Sequence, residues 1–304
     1  MRSRHAGRMT TPIADRIAGA PISWGVCEVP GWGYQLDADT VLSQMKEVGI
    51  SATEYGPGGF LPDDPAAKAD LLAGYGLRAV GQFVPVVLHD PDVDPMPTVE
   101  EAITGLLAAQ ASTVVIAAST GVDGYDSRPV LDDAQWDTLL ANLDRITDAA
   151  AARGLTATVH PHVGTMIESG AEADRVLAGS RIKLCLDTGH LLIGGGDPAS
   201  VVAAHPDRIG HMHLKDVRAD LAAQVRSGEL TYTDAVGQGM YVPLGAGDVD
   251  IAGIVGQLER NGYQGWYVME QDSILTGSPE DTGADPRDDV LNSIAFVLEA
   301  GANA

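Results

Sequence analysis

Lys183-Leu184-Cys185-Leu186-Asp187-Thr188-Gly189-His190 is the stretch on which the reading of the whole chain turns. A mostly apolar run this short suits a buried strand rather than a helix, and it stops abruptly at a carboxylate, a glycine and an imidazole. The same grammar recurs on either side. The run before it ends in His160-Pro161-His162, the next ends in His211-Met212-His213-Leu214-Lys215-Asp216, and the last ends in Glu270-Gln271-Asp272.

Extended along the chain, the pattern predicts eight strands, at 20–24, 52–55, 78–84, 113–117, 156–160, 183–187, 209–215 and 265–271. Amphipathic stretches at 38–48, 65–75, 99–111, 132–153, 171–177, 198–205, 251–261 and 287–299 alternate with them as helices, and Gly49, Gly154 and Gly262 stand where C-terminal caps are expected. Strand–helix alternation of this kind builds a parallel sheet. A doubly wound open sheet shares the rhythm, but Trp24-Gly25-Val26-Cys27 stands where its glycine-rich phosphate-binding turn would follow the first strand. Eight units without a nucleotide signature predict closure into a single α/β domain, a (β/α)8 TIM barrel over 19–304, with 1–18 as a flexible N-terminal segment.

Composition narrows the partners. The 304 residues carry a formal net charge of -23, which repels nucleic-acid phosphates and anionic membrane surfaces. Arg2, Arg4 and Arg8 are not followed by an apolar signal-peptide core, and no run approaches the roughly 18 apolar residues of a spanning helix. A cytoplasmic protein is therefore expected, with no nucleic-acid or membrane partner and with a homo-oligomer left open. Cys27 and Cys185 are too few for a disulfide framework.

In barrels of this kind the catalytic groups sit at the C-terminal ends of the strands. Carboxylates and neutral imidazoles there suit a divalent cation. Singly, each residue has a plainer role: Asp187 as a turn cap, Glu270 as a partner of Lys215, any one histidine as a packed residue at the barrel mouth. Four polar strand ends in succession favour a metal site.

Trp24, Glu54, the segment from His160 to Thr165, Leu186-Asp187-Thr188-Gly189-His190, the segment from His211 to Asp216 and Gly245-Ala246-Gly247-Asp248-Val249-Asp250 together resemble the xylose-isomerase-like barrel superfamily. Within it, the chain looks most similar to inosose dehydratases and related sugar phosphate isomerase/epimerase-like proteins. The resemblance implies Asp187, His213 and Glu270 as metal ligands. Two residues compete for the fourth place, His160 itself or Glu168 folded back from the following loop; Glu168 is preferred, because Gly164 and Thr165 permit a tight reversal and a second carboxylate suits a hard ion. Mn²⁺ is the expected ion, with Co²⁺, Mg²⁺ and Zn²⁺ as alternatives.

For the chemistry, the histidines His160, His162 and His190 are the leading acid/base candidates, and Lys215 would stabilise an enediolate or bind a hydroxyl. Trp24, Trp32 and Tyr55 would wall a sugar or cyclitol ring, with Glu54 and Gln82 bonding its hydroxyls. The Gly245–Asp250 segment reads as a turn and helix start capped by Asp248 or Asp250. The reaction implied is dehydration of a keto-inositol, a small polyhydroxylated ketone, by a metal-dependent lyase through a metal-stabilised enediolate. An epimerase, a ketose isomerase or a lyase eliminating from 3-keto-glycosides would use the same parts. A multi-metal nuclease is opposed by the acidic charge, and a non-catalytic sugar-binding barrel is the plain alternative.

Overall fold

Helix ends are where unpaired backbone groups must find partners, and here side chains supply many of them. Asp132 and Gln135 form a reciprocal capping box at the start of the longest helix, with Gln135 N–H donating to Asp132 at 2.9 Å and Asp132 N–H donating to Gln135 at 3.0 Å. Gly49, Gly154 and Gly262 take φ of 85°, 80° and 75°, as expected for residues that end a helix in the left-handed region. The computed structural model describes residues 11–122, 124–283 and 285–304.

In chain order the strands are β1 (Ile17–Gly19), β2 (Ala52–Glu54), β3 (Arg78–Val87), β4 (Thr113–Ser119), β5 (Thr156–Val159), β6 (Lys183–Asp187), β7 (Ile209–Leu214), β8 (Asp216–Val217), β9 (Tyr241–Val242) and β10 (Tyr267–Met269). Eight of them close a parallel barrel in the order β1-β2-β3-β4-β5-β6-β7-β10, and β10 pairs with both β7 and β1. The (β/α)8 TIM barrel is therefore present. The helices are α1 (Ala38–Glu47), α2 (Pro65–Tyr75), α3 (Met96–Ala108), α4 (Asp133–Ala152), α5 (Gly170–Gly179), α6 (Thr188–Ile193), α7 (Pro198–Ala204), α8 (Ala219–Ser227), α9 (Tyr232–Gly237), α10 (Ile251–Arg260), α11 (Pro279–Thr282) and α12 (Pro286–Ala302). Among the described residues, no helix is long and apolar enough to cross a membrane.

The first strand lies earlier than expected. Ile17, Ala18 and Gly19 pair with β10, whereas Pro21–Trp24, inside the expected strand at 20–24, forms a 3-10 turn. The physical reason is Pro21, which has no N–H for a central ladder but fits the first position of a helical turn. The expected boundary at residue 19 thus falls inside the barrel, since Ile13–Arg16 and Ile17–Gly19 are ordered elements; residues 1–10 of the expected flexible segment lie outside the described residues.

Alternation along each strand sends every second side chain inward. Small residues, Ala18, Ala20, Ala52, Val80 and Val268, fill the narrow interior. Further along the same faces the inward residues turn polar, which carries Glu54, His160, Asp187, His213 and Glu270 to one end of the barrel. The larger apolar core lies between strands and helices and includes Leu139, Leu143 and Ile146 of α4, all 0% exposed. An insertion after β7 holds α8, α9 and the antiparallel β8–β9 ribbon. Asp216 pins it by accepting backbone N–H groups from Val217, Gly245, Gly247 and Val249. The Gly245–Asp250 segment is a turn, as read, and Asp250 caps α10 by accepting from Gly253.

Because α4 backs the strand that ends at His160, Leu143→Ala is expected to lower stability by about 2–5 kcal/mol through the cavity it leaves. The measurement is the guanidinium midpoint; an unchanged midpoint at unchanged slope would contradict the packing described.

Candidate metal and catalytic site

The polar strand ends converge on a cavity of about 330 Å³ at the mouth of the barrel. On its floor, His213 Nδ1 lies 3.0 Å from His160 Nε2, 3.3 Å from Glu270 Oε2 and 3.9 Å from Asp187 Oδ2. His160 Nε2 is also 3.4 Å from Asp187 Oδ2. Bonds of about 2.0–2.2 Å to one cation would set neighbouring donor atoms roughly 3.0–3.5 Å apart, close to this spacing. Asp187 Oδ2 is fully buried with no hydrogen-bond partner, a costly state for a carboxylate oxygen that a cation would relieve. The four residues thus fit a divalent ion, and Asp187, His213 and Glu270 each bring a donor atom within 4.8 Å of the other two.

A second carboxylate holds this cluster from behind. Glu54 Oε1 accepts from His213 Nε2 at 3.0 Å and from His211 Nε2 at 2.8 Å, which leaves His213 Nδ1 turned toward the donors. Carboxylate-backed histidines of this sort are oriented and made more basic for metal binding. Burial opposes the charge on Glu54, but His213 and His211 overcome it and hold the carboxyl down at about 2. Likewise burial opposes charge on Asp187, and Lys215 with His160 keeps its pKa below the ordinary value.

Beside the cluster, His162 lines the cavity with its Nδ1 2.6 Å from the carbonyl oxygen of Val163. A carbonyl only accepts, so Nδ1 carries the proton and Nε2 keeps a lone pair. Burial and the neighbouring His160 push the His162 pKa down to about 3, so the ring is neutral. His190 stacks behind it with ring centroids 3.7 Å apart and does not line the cavity. Lys215 is buried with its Nζ 3.0 Å from Glu270 Oε2 and bonded to Asp272 Oδ1.

The structure corrects several expectations. Glu168 is not brought to the cluster: its carboxylate accepts from Gly164 N–H at 2.7 Å and lies 3.3 Å from Arg128. Gly164 does make the reversal, with φ of 75°, but the loop so formed closes on itself instead of reaching the strand ends. His160, instead, stands beside His213 and Asp187 in the cluster. Trp24 and Tyr55 do not wall the cavity either; both are buried packing residues, Trp24 donating to Gln44 and Tyr55 to the carbonyl of Gly105. Of that trio only Trp32 lines it. Gln82 lines the cavity as expected, whereas Glu54 lines its floor with one oxygen committed to two histidines.

Lining residues that were not foreseen include Glu28, Phe83, Tyr125, Tyr232 and Asp272. Asp272 was findable, because it lies two residues beyond Glu270, on the same face by strand alternation. Phe83 flanks the predicted Gln82. Tyr125 comes from a loop and Tyr232 from the first residue of α9, and neither carries a periodic signal; Tyr125 stacks on His162 at 4.7 Å between centroids and donates to Glu28 at 2.6 Å.

With this geometry in view, comparison places the chain among known proteins. It is 33% identical over 264 residues to the rhizopine catabolism protein MocC of Rhizobium meliloti, covering 84% of this chain and 81% of that one. It is 32% identical over 268 residues to an inosose dehydratase of Geobacillus kaustophilus, covering 84% and 86%. The IolI protein solved with a binding zinc atom shares the fold at a TM-score of 0.68 and 12% identity, over 95% of this chain and 98% of that one. Residues 98–296, more than half of the chain, match the family described as xylose isomerase-like TIM barrel, and the chain belongs to that family.

Proposed function

We propose that the protein is a metal-dependent hydro-lyase that removes water from a keto-inositol. The observation that carries this reading is His162, whose Nδ1 bonds the Val163 carbonyl and so leaves Nε2 with a lone pair, lining the same cavity as His160, His213 and Glu270, the last two of which converge with Asp187. Removing a proton next to a ketone requires a base within reach and charge stabilisation at the carbonyl oxygen. Both are side by side here. The similarity to an inosose dehydratase over most of the chain supports the substrate class.

A divalent cation held by Asp187, His213, Glu270 and His160 would act as a Lewis acid on the ketone oxygen. Mn²⁺ suits a donor set of two carboxylates and two imidazoles, and IolI, which shares the fold, was solved with a binding zinc atom. The chain's own residues do the rest. His162 Nε2 accepts the α-proton. The Lys215 ammonium adds positive charge beside Glu270, where negative charge develops on the substrate. Trp32, Phe83, Tyr125 and Tyr232 cover the apolar faces of a six-membered ring and displace water, while Gln82 and Glu28 offer hydrogen-bonding groups to its hydroxyls.

In D₂O, protein loaded with Mn²⁺ is expected to convert 2-keto-myo-inositol with loss of one water, read by mass spectrometry, and protein stripped with a chelator is not. Deuterium uptake or an isomeric product without water loss would instead make the protein an epimerase or isomerase, and no reaction would remove the keto-inositol reading. Independently, Glu54→Gln is expected to weaken Mn²⁺ binding by about 10–100-fold in calorimetry while the circular dichroism stays native. Unaltered affinity would show that Glu54 does not orient His213 for metal.

A further inference from the structure

Tyr232 reaches the cavity from outside the barrel framework. It opens α9 in the insertion after β7, and its backbone N–H is anchored at 2.9 Å on Asp126 of a different loop. Its hydroxyl donates to Asp272 Oδ2 and lies 3.0 Å from the Tyr241 hydroxyl, which is 3.5 Å from His190 Nδ1. The other oxygen of Asp272 takes the Lys215 ammonium. The result is one buried chain of hydrogen-bonded groups, Lys215, Asp272, Tyr232 and Tyr241, that meets the cavity at the first three. Packing alone does not ask for it, since a phenol, a carboxylate and an ammonium all had to be desolvated to build it.

Loss of a hydroxyl requires a proton for the departing oxygen, because hydroxide is a poor leaving group, and His162 is placed as an acceptor and not a donor. We propose that Tyr232 is the acid that protonates the departing β-hydroxyl; this rests on the dehydratase reading above. The ring centroids of His162 and Tyr232 are 6.5 Å apart, so the two residues can serve adjacent carbons of one six-membered ring. His162 takes the α-proton and that electron pair moves to the carbonyl oxygen. The pair then returns to form the carbon–carbon double bond as the β C–O bond breaks, and the Tyr232 proton leaves with the oxygen as water. The Tyr232 phenolate then takes back one proton and the His162 imidazolium gives one up to solvent, so the net change is one water lost. Burial beside Asp272 raises the Tyr232 pKa well above its ordinary value, which keeps it protonated at rest.

The test compares wild type and Tyr232→Phe on 2-keto-myo-inositol and on the analogue with fluorine in place of the departing hydroxyl, since fluoride leaves without a proton. The expected result is a ratio of fluoride loss to water loss that rises about 100-fold or more in the variant. An unchanged ratio, whether both rates hold or both fall together, would overturn the assignment and leave the dehydratase reading intact. If wild type released no water at all, both would fall. Should Tyr232→Phe fail to fold, 3-fluorotyrosine at position 232 provides the second probe: its more acidic phenol is expected to change the rate of water loss and not that of fluoride loss, and an equal effect on both would overturn the assignment.

Discussion

Everything at the mouth of this barrel depends on how buried charge is neutralised. Glu54, Asp187, His213, Lys215 and Asp272 are all nearly excluded from water, and an isolated ion in such a place is untenable. The molecule meets the constraint by alternating sign: Glu54 faces His211 and His213, Lys215 is clasped by Glu270 and Asp272, and Asp187 faces His160 and Lys215. One oxygen, Asp187 Oδ2, is left without a hydrogen bond, and it points into the donor set. A site that pre-pays desolvation in this way holds its ligand atoms rigidly, which both metal binding and proton transfer require.

The barrel alone supplies the floor of the site and the loops supply its walls. Strand ends carry the donor set and Lys215, but of the aromatic residues around the cavity, Trp32 and Tyr125 come from loops and Tyr232 from α9 in the insertion, and only Phe83 lies on a barrel strand. In the insertion between β7 and α10 one carboxylate, Asp216, satisfies four backbone N–H groups. That economy explains why the Gly-Ala-Gly stretch at 245–247 is so small: a Cβ on Gly247 would collide with the Asp216 carboxylate. This part of the cavity wall is thus tied to β7, the strand that carries His213.

Much of this was legible beforehand for a physical reason. Strands of period two place Asp187, His213 and Glu270 on the inner face, and closure of eight parallel strands brings such ends together whatever the details of the loops. What failed were inferences about residues whose partners are distant in sequence. Glu168 was favoured over His160 on the chemistry of the ion, yet Arg128 and the N–H of Gly164 already hold its carboxylate. Trp24 and Tyr55 were placed at the wall because aromatic residues suit sugars, but Pro21 turns the chain before Trp24 and buries that ring against α1.

By itself, then, the sequence determined the barrel, the end of it that carries chemistry and the residue types available for a metal, because local periodicity and strand order are properties of neighbours along the chain. Only the tertiary structure decided which nitrogen of His162 holds the proton, that Glu54 serves His213 instead of a substrate hydroxyl, and that Tyr232 and Asp272 join the site. Those are properties of distance between segments as many as 159 residues apart, as for Glu54 and His213, and hydrogen bonds and ion pairs at 3 Å leave no trace in local periodicity.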